Sequence, residues 1–474
     1  MKPINQFRIQ YLKFKILFLT GLLGSCATYY QANHTFNQEF ESGNLNNALS
    51  ELQAKSSEAS GRREFLFDVN NGLVLSMLGR YDESNEYFEK AFLFGEDYRK
   101  NYLNEAASYL ANPMITTYRG EDHEHLMLLY YKAINYLKLG NAESALVECR
   151  RLNIRLQQLS DRYENDSKYQ RDAFVHVLMG LIYDSDHDYN NAFIAYRNAL
   201  QIYQNDYQRM FQLTVPDQLK LDILRTAWLS GFKDEFDQYK TEFDLPGYAY
   251  EPTEGGELIF FWHNGLSPVK AEWGINFMVS RSGNIVYFYN RELNLTFPFP
   301  LDGYNEKDKN GLASLELFRV ALPRYVERPT YYTGATLSCM DSDFELQLLE
   351  DVNKIAFKSL NERMGLELSK ALIRVALKKV AEYQVKQEDK TLGSVLGLIN
   401  AITEKADTRN WQTLPHSIYY ARVPLQTGQN KITLHLSGPG GDSHSQEFNY
   451  EIKKGQVLFH TFSSLESGYP NYGY

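Results

Sequence analysis

The sequence lacks several features that define common protein classes. Only three of its 474 residues are cysteine, which excludes a disulfide-stapled scaffold and a four-cysteine zinc site. Its 49 Lys and Arg are outnumbered by 59 Asp and Glu, so the basic excess of a nucleic-acid-binding protein is missing and we expect no nucleic-acid partner. With 43% hydrophobic and 23% charged residues, it is neither mainly disordered nor a multi-span membrane protein.

Familiar catalytic motifs are also absent from the sequence. It contains neither the G-x-S-x-G nucleophile elbow nor the H-E-x-x-H zinc motif. The glycine-rich stretch 438–444 has no Walker lysine, and it predicts a hairpin loop in preference to a phosphate site. We therefore expect a protein that is not an enzyme, with no catalytic residues, no cofactor and no bound metal.

The first 26 residues have the pattern of a signal peptide. Basic residues without any acid precede the apolar run 16–23, which is too short to span a bilayer. The run ends in Leu-Leu-Gly-Ser-Cys26, which resembles the lipobox of bacterial lipoproteins. The resemblance implies removal of residues 1–25 and acylation at Cys26, with two or three acyl chains as a firm membrane anchor. An ordinary secretory signal and a buried first helix are the alternatives.

The residues that follow Cys26 indicate which membrane would hold the anchor. Ala27 stands at the position where an Asp retains some lipoproteins in the inner membrane, and no acidic cluster follows it. We therefore expect a lipid anchor in the outer membrane, with the protein facing the periplasm.

Three segments of the first half repeat one pattern of small and aromatic residues. They begin at Phe65, Leu126 and Ala173, and their spacing resembles the 34-residue tetratricopeptide repeat (TPR), in which two helices form a hairpin. Weaker copies begin near Tyr29 and Asp217. Repeats of this kind cannot bury their apolar faces alone, so they stack into a curved solenoid.

The TPR resemblance implies a binding groove along a solenoid at residues 26–250. Such grooves hold extended peptides or partner helices, so we expect an envelope protein as the partner. By repeat register, the side chains facing the groove are Met127, Tyr130, Ile134, Lys138, Phe174, Val177 and Asp184. The alternative is that these side chains pack against the C-terminal half and bind nothing.

From Glu257 onward, the spacing of the apolar residues approaches the period of two that is typical of strands. Strands are predicted at 257–263, 271–279, 284–289, 318–322, 417–425, 431–436, 446–452 and 456–462. Asn264-Gly265 is predicted to form a turn, and a helical insertion is expected at about 342–406. The predicted fold class is thus α+β: an all-α TPR-like solenoid, then at 255–474 a mixed, β-sandwich-like domain of antiparallel strands with a helical insertion.

Three short segments carry a resemblance to a known family. Residues 118–122 read Tyr-Arg-Gly-Glu-Asp, residues 264–270 read Asn-Gly-Leu-Ser-Pro-Val-Lys, and residues 407–415 read Asp-Thr-Arg-Asn-Trp-Gln-Thr-Leu-Pro. Together they resemble an uncharacterised family of bacterial envelope lipoproteins, in which a TPR region precedes a mixed C-terminal domain. The resemblance implies placement in the envelope and brings no catalytic residues.

The last of these segments contains a candidate site. Asp407, Arg409 and Trp411 could bind a ligand or a partner, because an acid–base pair stands beside an aromatic ring. The alternative is a salt-bridged turn that places Trp411 in the core. Segment 184–190 has the oxygen spacing of a calcium loop, but a hairpin turn explains it better. Segment 121–125 could gather metal ligands, but its two histidines are splayed on a helix, and an acidic helix N-terminus explains it better.

Three functions are compatible with this pattern. A scaffold for envelope assembly or maintenance is favoured, and it would show an apolar groove. A glycan- or peptidoglycan-binding lipoprotein would show an exposed platform near Trp262, Trp273 or Trp411. An enzyme would gather His263 or His416 with carboxylates in a cleft.

Overall fold

The computed structural model describes residues 28–100, 116–162, 171–252, 254–302, 317–388 and 405–470. The fold is mixed α+β, with 49% helix and 26% strand. Cys26, the signal peptide and the apolar segment expected to be helical at 392–402 lie outside the described residues.

Helices make up most of the described part of the chain up to residue 242. Their bounds are α1 Tyr29–Ala32, α2 His34–Glu41, α3 Leu45–Ala54, α4 Glu64–Met77, α5 Tyr81–Lys100, α6 Asp122–Lys138, α7 Ala142–Arg162, α8 Ala173–Ser185, α9 Tyr189–Ile202, α10 Gln208–Phe211, α11 Asp217–Leu229 and α12 Lys233–Glu242. Five hairpins follow one another in the described part: α2–α3, α4–α5, α6–α7, α8–α9 and α11–α12.

The five hairpin turns have a common backbone conformation. Four place a glycine in the left-handed region, as at Gly79 (φ +77°) and Gly140 (φ +73°), where L side chains are disfavoured. The fifth places His187 there, at φ +61°. In each turn the next residue donates its N–H to the carbonyl five residues earlier, as Arg80 does to Leu75 at 2.9 Å. This bond satisfies a carbonyl that the ending helix would leave without a partner.

Small residues let the two helices of a hairpin approach closely. A Cβ added to Gly72 would lie 2.7 Å from the Phe88 ring, and one added to Gly180 would lie 2.3 Å from the Tyr196 ring. The glycines and the rings occupy equivalent places in α4–α5 and α8–α9. The recurring small and aromatic positions of the sequence are therefore contacts between paired helices.

Twelve strands lie in the described part of the second half. Their bounds are β1 Gly256–Asn264, β2 Val269–Ser282, β3 Ile285–Asn290, β4 Leu295–Pro300, β5 Leu317–Val326, β6 Gly334–Cys339, β7 Ser342–Glu345, β8 Gln347–Glu350, β9 Ser417–Leu425, β10 Gly428–Ser437, β11 Ser443–Ile452 and β12 Val457–Ser464. The three described sheets have the orders β12-β1-β9-β8, β11-β10-β6-β7 and β4-β3-β2-β5. Pairing is antiparallel except between β1 and β12.

The first sheet is the middle layer of the molecule. Phe261 and Tyr420 on one face join the core of the helical hairpins. Phe260 and Trp262 on the other face pack against the β11-β10-β6-β7 sheet. The third sheet packs instead against a long helix, α13 (Val352–Glu388). The helical hairpins and the first sheet therefore share one core, and β1 is buried on both faces because its other face contributes to the core of the second sheet.

The structure corrects two predictions in the second half. The helical insertion begins at Val352 and not near 342, because two four-residue strands, β7 and β8, come first. Asn264-Gly265 closes no hairpin, since β1 and β2 belong to different sheets and the Gly265 N–H donates to the Ser464 carbonyl at 2.8 Å. Four strands were not predicted: β4, β7 and β8, which lie at sheet edges, and β6, which lies inside its sheet. β7 and β8 have only four residues each, too few to show a clear period.

Candidate functional site

The face of the hairpins that was expected to form a groove is filled by the chain itself. Six of the seven predicted groove residues are buried: Met127, Tyr130, Ile134, Phe174, Val177 and Asp184. Lys138 alone is half-buried. The covering residues come from β1, β8, β9, the start of α13 and the loop that precedes β9. No open groove therefore lies at these positions, and these side chains pack against the C-terminal half.

Tyr130 lies at the centre of the contact between the helices and the first sheet. Its hydroxyl lies 2.8 Å from His263 Nε2, and its ring centroid lies 4.9 Å from that of Phe174. Burial lowers the pKa of His263 to about 3, so this imidazole is neutral at physiological pH. His263, named above as a marker of an enzyme, is thus a core residue with a hydrogen-bond partner.

A buried set of charges joins β9 to the helices. We call Asp184, Asp222, Arg225, Glu257 and Arg422 the Arg422 cluster. Arg422 donates through Nη2 to Asp184 Oδ2 at 2.6 Å and through Nε to Asp222 Oδ1 at 2.7 Å, and it also pairs with Glu257. Arg225 pairs with Asp184 from α11. One guanidinium therefore holds three carboxylates from two helices and a strand, as its planar set of five donors allows.

The electrostatics of this cluster depend on Arg422. Desolvation by burial raises the pKa of Asp222 to about 6, although Arg422 opposes the rise. Burial likewise lowers the pKa of Arg225 to about 10. Two cations face three carboxylates, so the loss of either arginine would leave buried negative charge without compensation.

A second buried set of charges binds α6 to the C-terminal half. Glu121, at the N-terminus of α6, pairs with Lys270 on β2 and with Arg363 on α13, whose Nη2 lies 2.5 Å from Glu121 Oε2. Glu124, one turn later, accepts a hydrogen bond from the Trp411 backbone N–H at 2.6 Å. Burial raises the pKa of Glu124 to about 7. The acidic segment 121–125 is therefore part of an internal contact.

Asp407, Arg409 and Trp411 form an internal turn. Arg409 holds Asp407 through two bonds, from Nε at 2.8 Å and from Nη2 at 2.7 Å. Its Nη1 donates to the carbonyls of Arg62 at 3.1 Å and Thr116 at 2.9 Å. Trp411 is fully buried. This is the salt-bridged turn that the sequence offered as the alternative to a ligand site.

Other candidates from the sequence are also placed in the structure. Asp184, the first residue of the calcium-like segment, points into the Arg422 cluster. The described ranges contain no group of three or more His, Cys, Asp or Glu side chains that could hold a metal ion. Cys149 and Cys339 are both free and buried.

The Arg422 cluster was not found from the sequence. The available signal was a single arginine inside the apolar strand Ser-Ile-Tyr-Tyr-Ala-Arg-Val-Pro-Leu, together with Asp222 beside the apolar residue Ile223. A charged residue within a run of buried apolar residues indicates that a partner of opposite charge lies beside it. The sequence does not indicate which residue is that partner, because the partners lie up to 238 positions away.

Two surface features bear on the candidate functions. Exposed apolar side chains recur on the second helices of three consecutive hairpins, at Leu93, Val147, Ile154 and Ile194, with 39–54% of each exposed. We call this set the outer ridge. Elsewhere, Trp273 is 37% exposed and lines an open depression of about 560 Å³ beside Asn276, Asn290 and Arg291. Trp262 and Trp411 are fully buried and form no platform.

Comparisons with known proteins give little further information. No protein-family model matches the sequence, and no curated protein sequence matches it. Among solved structures, the chain is similar to BtubC (BKLC) from P. vanneervenii, with 16% identity over 46% of this chain and 80% of that one. The TM-score of 0.31 is too low to support an argument about fold or function. In the described ranges, every helix is too short or too polar to cross a membrane.

Proposed function

We propose that this protein is a lipid-anchored envelope scaffold, without catalytic activity, that takes part in assembly or maintenance of the envelope. In this proposal Cys26 carries the lipid anchor in the outer membrane and the hairpins form a TPR-like solenoid. The close packing of Gly72 on Phe88 and of Gly180 on Tyr196 supports the repeat interpretation, because it recurs at equivalent positions.

The outer ridge is the observation that carries the scaffold proposal. The chain's own strands cover the face of the hairpins that was expected to form a groove. In this proposal a protein partner therefore binds to another face. Val147 and Ile154 lie two helical turns apart on one side of α7 and are 41% and 54% exposed. Isolated exposed apolar residues are ordinary, but these recur from hairpin to hairpin. We propose that a partner with an apolar surface binds there.

A crosslinked pull-down from native membranes tests this proposal. The intact lipoprotein is compared with Ile154→Glu and with Leu366→Glu, a matched control on α13 where the leucine is 55% exposed. We expect one envelope protein to be recovered with the intact chain and the control, and lost with Ile154→Glu. Equal recovery by both variants would exclude the outer ridge. A truncation at Gly255 would be misleading, because it would expose Tyr130 and Phe174 to water.

A second candidate function, glycan or peptidoglycan-fragment binding, is favoured by the Trp273 depression. Sugars bind to aromatic faces beside amide and charged side chains, and Trp273 has Asn276 and Arg291 next to it. Titration with peptidoglycan fragments should then change tryptophan fluorescence. The change should disappear in Trp273→Phe and persist in Trp228→Phe, whose indole is 52% exposed on α11. A signal that both variants retain, or none in the intact chain, would exclude this site.

A further inference from the structure

The first described residues are fixed on the body of the protein. Thr28 caps α1: its hydroxyl accepts from the Gln31 N–H at 3.3 Å, and its own N–H donates to Gln31 Oε1 at 2.9 Å. The Tyr29 N–H donates to Thr408 Oγ1 at 3.1 Å, and the Tyr29 side chain is only 5% exposed. Thr28, two residues after Cys26 in the sequence, is thus already part of the packed structure.

This spacing limits the distance between the body and the proposed anchor. Two peptide units span at most about 8 Å between Cα atoms, whatever their path. A diacylglycerol on the Cys26 sulfur would therefore hold Thr28 close to the headgroup layer. A lipoprotein with a long linker can turn freely at the membrane, whereas this geometry allows only orientations in which α1 is near the bilayer.

The surface around α1 suits contact with a bilayer. Residues 28–38 contain no Asp or Glu, although the chain as a whole carries a net charge of −10. Gln31, His34 and Gln38 are exposed there. They line an open groove of about 600 Å³ together with Tyr469, and the charged residues Glu41, Arg328 and Glu466 line it as well. Tyr469 is 89% exposed, and tyrosine side chains favour the headgroup level of membranes.

The C-terminal side of the groove is also fixed in place. The Ser467 hydroxyl accepts from the Leu266 N–H at 2.9 Å, and the Gly468 N–H donates to the Pro329 carbonyl at 2.7 Å. Tyr469 therefore follows directly after an anchored segment. Tyr469 and the α1–α2 segment lie on one side of the molecule, because residues of both line the same groove.

We propose that the α1 face, defined by Gln31, His34, Gln38 and Tyr469, lies against the bilayer and contacts lipid headgroups. The inference rests on the proposed lipidation of Cys26. It fixes the orientation of the protein: the row of hairpins begins at the membrane with α2–α3, directly after α1, and ends with α11–α12, the hairpin farthest from α1 along the row.

A matched pair of labelled variants tests this orientation. Gln38→Cys and Gln238→Cys replace exposed glutamines on α2 and α12, and the native Cys149 and Cys339 are buried from the label. Each lipidated full chain carries the fluorophore NBD on one of these two cysteines. It is placed in vesicles of phosphatidylethanolamine and phosphatidylglycerol whose headgroups carry a spin label, which quenches nearby NBD. We expect loss of fluorescence at position 38 and none at position 238.

The outcomes separate this inference from the proposed function. Equal quenching at both positions, or quenching at position 238 alone, would overturn the orientation. The same holds if neither position is quenched in a chain whose mass shows the diacylglycerol and acyl groups. If the mass shows no lipid on Cys26, the proposed function fails together with the inference. Cys26→Ser, labelled at position 38, should show no quenching.

Discussion

Replacing Arg422 with methionine should lower the free energy of unfolding far more than the loss of a surface charge does. The variant keeps much of the side-chain volume but leaves Asp184, Asp222 and Glu257 facing Arg225 alone. Removing one partner from a buried ion pair costs roughly 3–5 kcal/mol, because the remaining charge stays buried. Arg422 is 7% exposed, so solvent screening should not reduce this effect much.

The matched control is Arg319→Met. The Arg319 side chain is 62% exposed and pairs with Glu272 at 3.0 Å. A solvent-exposed pair of this kind contributes about 0–1 kcal/mol. The two variants make the same chemical change, so the difference in their free energies of unfolding isolates burial and the number of partners.

The assay is urea unfolding followed by circular dichroism and by tryptophan fluorescence. Coincident transitions are expected in the wild type, because helices and strands share one core. The loss in Arg422→Met should shrink when the pH is lowered from 8 to 5. Burial raises the pKa of Asp222 to about 6 even with Arg422 opposing the rise, so without Arg422 the protonation of Asp222 on acidification should restore part of the lost stability. A loss no larger than that of Arg319→Met would refute this reasoning.

Two further predictions concern packing and pH. Gly180→Ala should destabilise the protein by roughly 1–3 kcal/mol, because its Cβ would collide with the Tyr196 ring. Gly365→Ala, in open space on α13, should stabilise it by up to about 1 kcal/mol, and thermal unfolding measures both. Burial lowers the pKa of His460 to about 3, so its contribution to stability is lost as the pH falls below its unfolded value. His460→Phe should therefore flatten the decline between pH 6 and 4 by at most about 1.4 kcal/mol per pH unit, and equal slopes would contradict this.

The fold was more accessible from the sequence than the site. Local patterns predicted the hairpins, because pairs such as Gly180 and Tyr196 lie within one repeat. They also predicted β9, whose bounds of 417–425 are the same in the structure. From the sequence, the predicted groove residues could line a binding face or pack against the C-terminal half, because both kinds of face have the same apolar spacing. The partners of Arg422 could not be predicted, since only the packing of the two halves brings them together.

The most direct test of the scaffold proposal compares two photo-crosslinking positions in native membranes. One benzophenone residue replaces Ile154 on the outer ridge, and the other replaces Lys138 at the edge of the filled groove. Our account predicts an adduct with a separate envelope protein from position 154, and only adducts within the chain from position 138. An intermolecular adduct from position 138, with none from position 154, would mean that the hairpins bind their partner through the groove and that the outer ridge is not the interface.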